Sequence, residues 1–263
     1  MKKLIHILFA CLLVVTTLLG AVACGGDQPQ AKEAGVYASK INGVFTLTQY
    51  VDDGKTTNVD LGAMVKEKYG EDLVRIKAGA FDGNGTITSL VVPNTVTEID
   101  GGAFRGMTAL ERITLPFVGA NVNADAFSNE TDSSADKAVN AERNFGYVFA
   151  NIRYEGSALI NMTYTSGEGE TATYYIPYTL KTVVIAPKSE YKVPMFAFNG
   201  LTQIATVELS DKVIGIGDKA FANSTIHTIK LGVGYQGLLL GQDWDKNTNE
   251  NLKIYDINGL VER

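Results

Sequence analysis

Few side chains in this 263-residue chain have the right type and spacing for chemistry. Its two cysteines, Cys11 and Cys24, and one of its two histidines, His6, fall within the first 24 residues. That leaves His227 as the one imidazole of the main body, placed between apolar strand positions where a solvated side chain is the expected role. No Cys–His or Ser–His–Asp set has spare members, and a zinc site lacks the ligands it would need. Gly215-Ile-Gly217-Asp-Lys-Ala220 fits the G-x-G-x-x-A dinucleotide fingerprint, whose glycines let a backbone approach a pyrophosphate. In the equivalent register Glu98 and Asp100 stand where Gly215 and Gly217 do, so an internal repeat explains the match. Asp243-Trp-Asp245-Lys-Asn247 opens like a calcium loop, but Thr248 occupies the sharp-turn position and Ile254 the bidentate Glu position. No catalytic residue, metal or cofactor is expected.

Cys24 is the remaining reactive position. Lys2 and Lys3 precede an uncharged apolar run from Leu4 to Leu19, and Ala21-Val-Ala-Cys24 closes it. This arrangement resembles a bacterial lipoprotein signal, which implies cleavage before Cys24 and lipidation of its thiol. An ordinary cleaved signal and an uncleaved helix, slightly short for the ~20 residues of a span, are the alternatives. Two acyl chains anchor stably where one does not. The expected mature protein lies outside the cytoplasmic membrane, lipid-anchored at the cell surface, and tethered through polar residues ending at Ala34. It keeps 21 basic against 29 acidic residues, a net charge of −8. Such a body repels nucleic acid and anionic membrane, so attachment is expected from lipid and not from a basic patch.

The elements that must position everything else come from a repeat. Ala-Phe recurs at Ala80-Phe81, Ala103-Phe104, Ala126-Phe127, Ala197-Phe198 and Ala220-Phe221, spaced by 23 residues within each group and by 71 between Phe127 and Phe198. Five residues before each Phe stands an aliphatic: Ile76, Ile99, Val122, Val193 and Ile216. Five or six residues after it begins an L-x-x-I-x-L stretch, from Ile87, Leu110, Ile204 and Ile226. A further stretch from Leu180 lacks its dipeptide, with Thr173-Tyr174 at the expected place. The third unit lacks its strand half. Alternation predicts a strand with every second side chain inward. One unit cannot bury that row alone, whereas stacked units form a continuous core, with Phe filling it and Ala permitting close approach. Gly83, Gly106 and Gly200, two residues past the Phe, suit turns of unusual backbone angle. Pro93 and Pro116 follow strands directly and end the pairing.

The unit V-x-x-I-x-x-x-A-F-x-G-x-x-x-L-x-x-I-x-L-P, carried by Val96, Ile99, Ala103, Phe104, Gly106, Leu110, Ile113, Leu115 and Pro116, resembles the BspA-type leucine-rich repeat of bacterial surface proteins. F-G-Y-V-F from Phe145 and Y-Y-I-P from Tyr174 resemble its interrupted units. The resemblance implies a β-rich leucine-rich-repeat solenoid of about 23-residue units, with an extracellular binding or adhesion role and no catalysis.

The division expected is a signal over 1–23, a tether over 24–34, an N-terminal cap over 35–72, repeats over 73–127, an insert over 128–179, repeats over 180–231 and a C-terminal cap over 232–263. Within the first cap, Val44–Val51 and Thr56–Leu61 flank D-D-G-K and predict a hairpin. Asp60 then caps a short helix ended by Gly70. In the insert, polar residues from Ser128 precede a helical turn capped at Asp132 or Ser133. Ile160–Tyr164 and Thr171–Tyr175 flank S-G-E-G-E and predict a second hairpin.

Binding is expected on the outward strand residues Ser89, Arg112, Thr114, Thr182, Thr206, Glu208, Thr228 and Lys230, with Thr88, Glu111, Lys181, Val91 and Val184 beside them. Six to seven rungs at about 4.8 Å offer only some ~300–450 Å², against about 800 Å² per partner in a standard interface. The insert, through Tyr164 and Tyr175 together with Tyr174 and Tyr178, is therefore expected to contribute. The partner expected is a host, matrix or neighbouring-cell protein or glycan, met by a monomer. A scaffold component of the envelope without a soluble ligand is the alternative.

Overall fold

The computed structural model describes residues 32–123, 141–164 and 170–262. The leader, Cys24, the Ala126-Phe127 dipeptide, the turn proposed at Asp132 or Ser133 and the tip of the second hairpin lie outside the described residues.

Each repeat forms one coil. Seven strands pair parallel and in register as one ladder: Asn58–Asp60, Ser89–Val91, Arg112–Leu115, Thr182–Ile185, Thr206–Leu209, Thr228–Leu231 and Lys253–Asp256. Gly259–Leu260 folds back antiparallel on the last. The inward residues Val59, Leu90, Ile113, Val183, Val207, Ile229 and Ile254 are at most 2% exposed. Alternation therefore does what the pattern predicts: one face of every strand joins a common core.

A second ladder uses four of the aliphatics that precede an Ala-Phe: Ile76, Ile99, Val193 and Ile216. Val44–Val51, Arg75–Ile76 and Glu98–Ile99 pair in parallel, as do Tyr191–Val193, Val213–Ile216 and Leu239–Leu240. Among the described residues no strand joins these two sets, and an antiparallel bridge from Glu98 to Asn121 extends the first.

Between the ladders runs a file of eight aromatic rings: Tyr50, Phe81, Phe104, Phe149, Phe145, Phe198, Phe221 and Trp244, with neighbouring centroids 4.9 to 6.0 Å apart. The alanines explain themselves here. The Phe81 N–H donates to Ala103 O at 3.2 Å and the Phe198 N–H to Ala220 O at 2.7 Å, a main-chain approach that a larger side chain would obstruct. Gly83, Gly106 and Gly200 all adopt left-handed φ, between 77° and 81°, where L side chains are strained.

The 71-residue gap resolves differently from a run of three further periods. Arg112–Leu115 pairs directly with Thr182–Ile185, so the third unit without a strand and the unit without a dipeptide share a single coil. Thr173-Tyr174 does not take the Ala-Phe place in it. That role is split within the 3₁₀ turn Phe145–Val148 and the Phe149 that follows: Val148 O accepts from Phe104 N–H, while Phe145 N–H donates to Ala197 O. Tyr174 belongs instead to the antiparallel hairpin Ser157–Thr163/Thr171–Pro177, and its ring packs where a Gly146 side chain would stand.

In the N-terminal cap the hairpin expected around D-D-G-K is replaced by an earlier one. Gly35–Ile41 pairs antiparallel with Val44–Val51 through Asn42-Gly43, whose φ values of 51° and 83° give the two left-handed residues that a tight turn needs. Asp53 instead closes a loop on itself, accepting from Lys55 N, Thr56 N and the Thr56 hydroxyl, which holds its carboxyl down at about 2. The helix Leu61–Tyr69 forms with Asp60 accepting from Ala63 N at 2.9 Å and Gly70 at φ 69° closing it. Lys68 Nζ and the Tyr69 hydroxyl both donate to Val36 O, covering part of the free strand edge that would otherwise invite pairing.

Candidate recognition face

The ladder's register sets the outward side chains in two rows. One holds Asn58, Ser89, Arg112, Thr182, Thr206, Thr228 and Lys253; the other holds Asp60, Val91, Thr114, Val184, Glu208, Lys230 and Tyr255. All eight strand residues picked from the sequence stand in these rows. Asn58, Asp60, Lys253 and Tyr255 were missed, although N-V-D and K-I-Y carry the same alternation.

Thr88, Glu111 and Lys181 fall outside the rows for a main-chain reason. At the entry to each strand one carbonyl accepts two successive N–H groups: Thr57 O from Thr88 and Ser89, Thr88 O from Glu111 and Arg112, Glu111 O from Lys181 and Thr182. The same doubling recurs at Lys181 O and Ala205 O. As in a β-bulge, alternation starts one residue later. His227 occupies this entry position and is exposed.

The charged members of the rows are not independent. Arg112 reaches across the intervening Thr182–Ile185 strand to Glu208, Nη2 to Oε2 at 2.6 Å, and Lys230 Nζ meets the other oxygen at 3.1 Å. Glu208, with its side chain 24% exposed, has its pKa lowered, first by the Arg112 hydrogen bond and then by that of Lys230, against the opposing effect of burial. One carboxylate thus binds cations from strands on either side of it. The centre of the face is pre-set as a braced patch flanked by threonine hydroxyls.

Tyr164 and Tyr175 stand on the hairpin and in neither row. That hairpin is fastened to the turns that precede the ladder strands: Asn161 O lies 2.6 Å from where a Gly200 Cβ would sit, Gly156 abuts Thr108, and Thr163 O accepts from Asn144 Nδ2. Tyr174 is buried and donates to Ala141 O at 2.9 Å, whereas Tyr178 is 59% exposed.

The other motifs dissolve in the repeat. Gly215 lies in a strand, Gly217 N–H donates to Val193 O, and a turn follows in place of the helix that a pyrophosphate would require. Asp243 is paired with Lys246 at 3.1 Å, and no group of three His, Cys, Asp or Glu able to hold a metal occurs among the described residues.

Coils stacked around one aromatic core, with a rigid outward strand ladder, define a repeat solenoid, a class that serves typically as a binding scaffold. The BspA type leucine rich repeat region matches in six copies over residues 74–167 and 170–237, more than half of the chain, and the chain belongs to that family. Among solved structures, a leucine-rich repeat protein from Bacteroides ovatus ATCC 8483 shares 14% identity over 86% of this chain and 71% of its own, with a TM-score of 0.28. A search of the curated proteins finds no match.

Proposed function

We propose that this chain is a lipid-anchored recognition module of the bacterial cell surface, held through Cys24, whose strand ladder binds a host, matrix or neighbouring-cell macromolecule. The observation that carries this reading is the braced face itself: seven in-register strands hold Arg112, Glu208 and Lys230 in one hydrogen-bonded set among Thr182, Thr206 and Thr228. A surface pre-organised in this way loses little side-chain freedom on binding.

The test displays the full chain on cells and measures retention on intact host cells and on extracted extracellular matrix. Thr206→Arg, on the strand that carries Glu208 and between Thr182 and Thr228 in its row, is expected to reduce retention at least tenfold with the urea midpoint unchanged. Undiminished retention overturns the face as the binding surface. Cys24→Ser is expected to release the protein from the membrane fraction. The contribution of the insert is tested by Tyr164→Ala and Tyr175→Ala, because deleting residues 128–172 would also remove Phe145 and Phe149 from the ring file.

A further inference from the structure

A second surface lies in the turns between the ladders, where two hollows meet on one ion pair. Asp82 and Arg105 each follow the phenylalanine of their repeat. Arg105 Nε donates to Asp82 Oδ1 at 2.7 Å and Nη2 donates to Oδ2. In later repeats Asn199 and Ala222 hold this position, so packing of the coil does not require a charge there. The pair occurs where the insert leans over the first repeats.

One hollow, of about 450 Å³, has Gly83, Gly106 and Thr108 on the repeat side and Tyr154 and Glu155 on the insert side. The other, of about 370 Å³, has Gly79, Gly101 and Gly102 facing Tyr147 and Asn151. Asp82 and Arg105 line both. Each volume falls in the ~300–1,000 Å³ range of small-molecule sites. Repeat and insert each supply one wall, so the groove exists only because the third coil is interrupted.

The chemistry of the walls narrows the ligand. A carboxylate offers about four acceptor sites and a guanidinium five N–H donors; their mutual pairing uses two of each, and the pair remains 42% and 41% exposed. Donors and acceptors are thus presented side by side. Among the described residues the buried Tyr154 hydroxyl has no hydrogen-bond partner, and burial raises the pKa of both Tyr154 and Tyr147, so the insert wall carries a neutral phenol in each hollow at physiological pH. An anionic ligand meets Asp82 and Glu155 beside a single arginine. Gly79 N–H and Gly102 N–H are committed to Gly102 O and Tyr147 O, so neither is free to pair with the main chain of an extended peptide. A neutral ligand whose hydroxyls donate and accept in neighbouring pairs satisfies the groove.

We infer that this groove binds a neutral oligosaccharide, with adjacent sugar rings in the two hollows and their hydroxyls bridging the Asp82–Arg105 pair. The site is separate from the strand face and does not rest on it. The full chain in detergent is screened on an array of neutral oligosaccharides, including cellohexaose, xylohexaose and mannohexaose, with trigalacturonate as the anionic arm, and binders are titrated calorimetrically. The expected result is binding of at least one neutral member, weakened tenfold or more by Asp82→Asn with Arg105→Gln, weakened several-fold by Asn151→Ala, and unaffected by Thr206→Arg. Should the double variant misfold, Asn151→Ala alone carries the test, since Asn151 is exposed. Absence of any neutral binder, binding of trigalacturonate alone, or binding lost in Thr206→Arg and retained in the groove variants overturns the inference.

Discussion

Two parallel ladders run through the same coils, and only one survives the interruption of the repeat. The strand ladder passes from Arg112–Leu115 to Thr182–Ile185 without losing register, although 66 residues separate Leu115 from Thr182. Among the described residues the other ladder stops after Glu98–Ile99, makes one antiparallel bridge to Asn121, and resumes at Tyr191–Val193. The strand ladder supplies most of the inward row and three or four paired residues at each step, whereas the interrupted ladder has steps of only two residues at Arg75–Ile76, Glu98–Ile99 and Leu239–Leu240. Insertion is accommodated where pairing contributes least, and the aromatic file is kept whole by recruiting Phe145 and Phe149.

The sharpest way to break this contrast is to remove what both ladders share. Phe104→Ala takes a fully buried ring from between Phe81 and Phe149 and should cost about 3–5 kcal/mol, read from urea unfolding by far-UV circular dichroism. Trp244, the last ring of the file, is expected to report the same midpoint by fluorescence if the file transmits unfolding between coils. Separate midpoints would mean that the coils unfold in blocks.

The hairpin's attachment comes next. Gly200→Ala places a Cβ against Asn161 O at φ 77°, and about 2–4 kcal/mol of destabilisation is expected from overpacking and left-handed strain together. Amide exchange should rise first across Ser157–Pro177 while the amides of Thr206–Leu209 stay protected; loss of both together would show that hairpin and ladder are one unit. At the break itself the Tyr191 hydroxyl accepts from Val118 N–H at 3.0 Å. Tyr191→Phe leaves that buried donor unsatisfied and should cost about 1–2 kcal/mol, measured as a shift of the urea midpoint.

The smallest effect is on the face of the intact ladder. Because the Glu208 pKa is lowered in the folded chain, its contribution is present above the unfolded carboxylate pKa of about 4.3 and is lost as pH falls through the lower folded value. Glu208→Gln should cost no more than about 1 kcal/mol at pH 7, with the difference from wild type vanishing in acid. A difference that persists at low pH would mean that packing, and not charge, dominates at this position.

Much of this was legible in the residues because the repeat is local. A 23-residue spacing of Ala-Phe sets one ring above the next, and L-x-x-I-x-L predicts the inward row, so the coil, the core and eight of the fourteen row positions followed from pattern alone. The entry bulge was not visible, since main-chain doubling at Thr57 O or Thr88 O leaves no side-chain signature. The first hairpin was misplaced because Asp52-Asp53-Gly54 looks like a turn, whereas Asn42-Gly43 has the two backbone conformations that the turn requires.

What the sequence determined by itself was the unit and its stacking, because nearest-neighbour coils repeat the same contacts and periodicity records them. Only the tertiary structure decided that two incomplete units make one coil, that Phe145 and Phe149 close the file, that Arg112 meets Glu208 across 96 residues, and that the insert walls a groove over Asp82 and Arg105. Those contacts join segments with no common period. Which of them form is set by the space left when the chain departs from its repeat and must still fill a close-packed core.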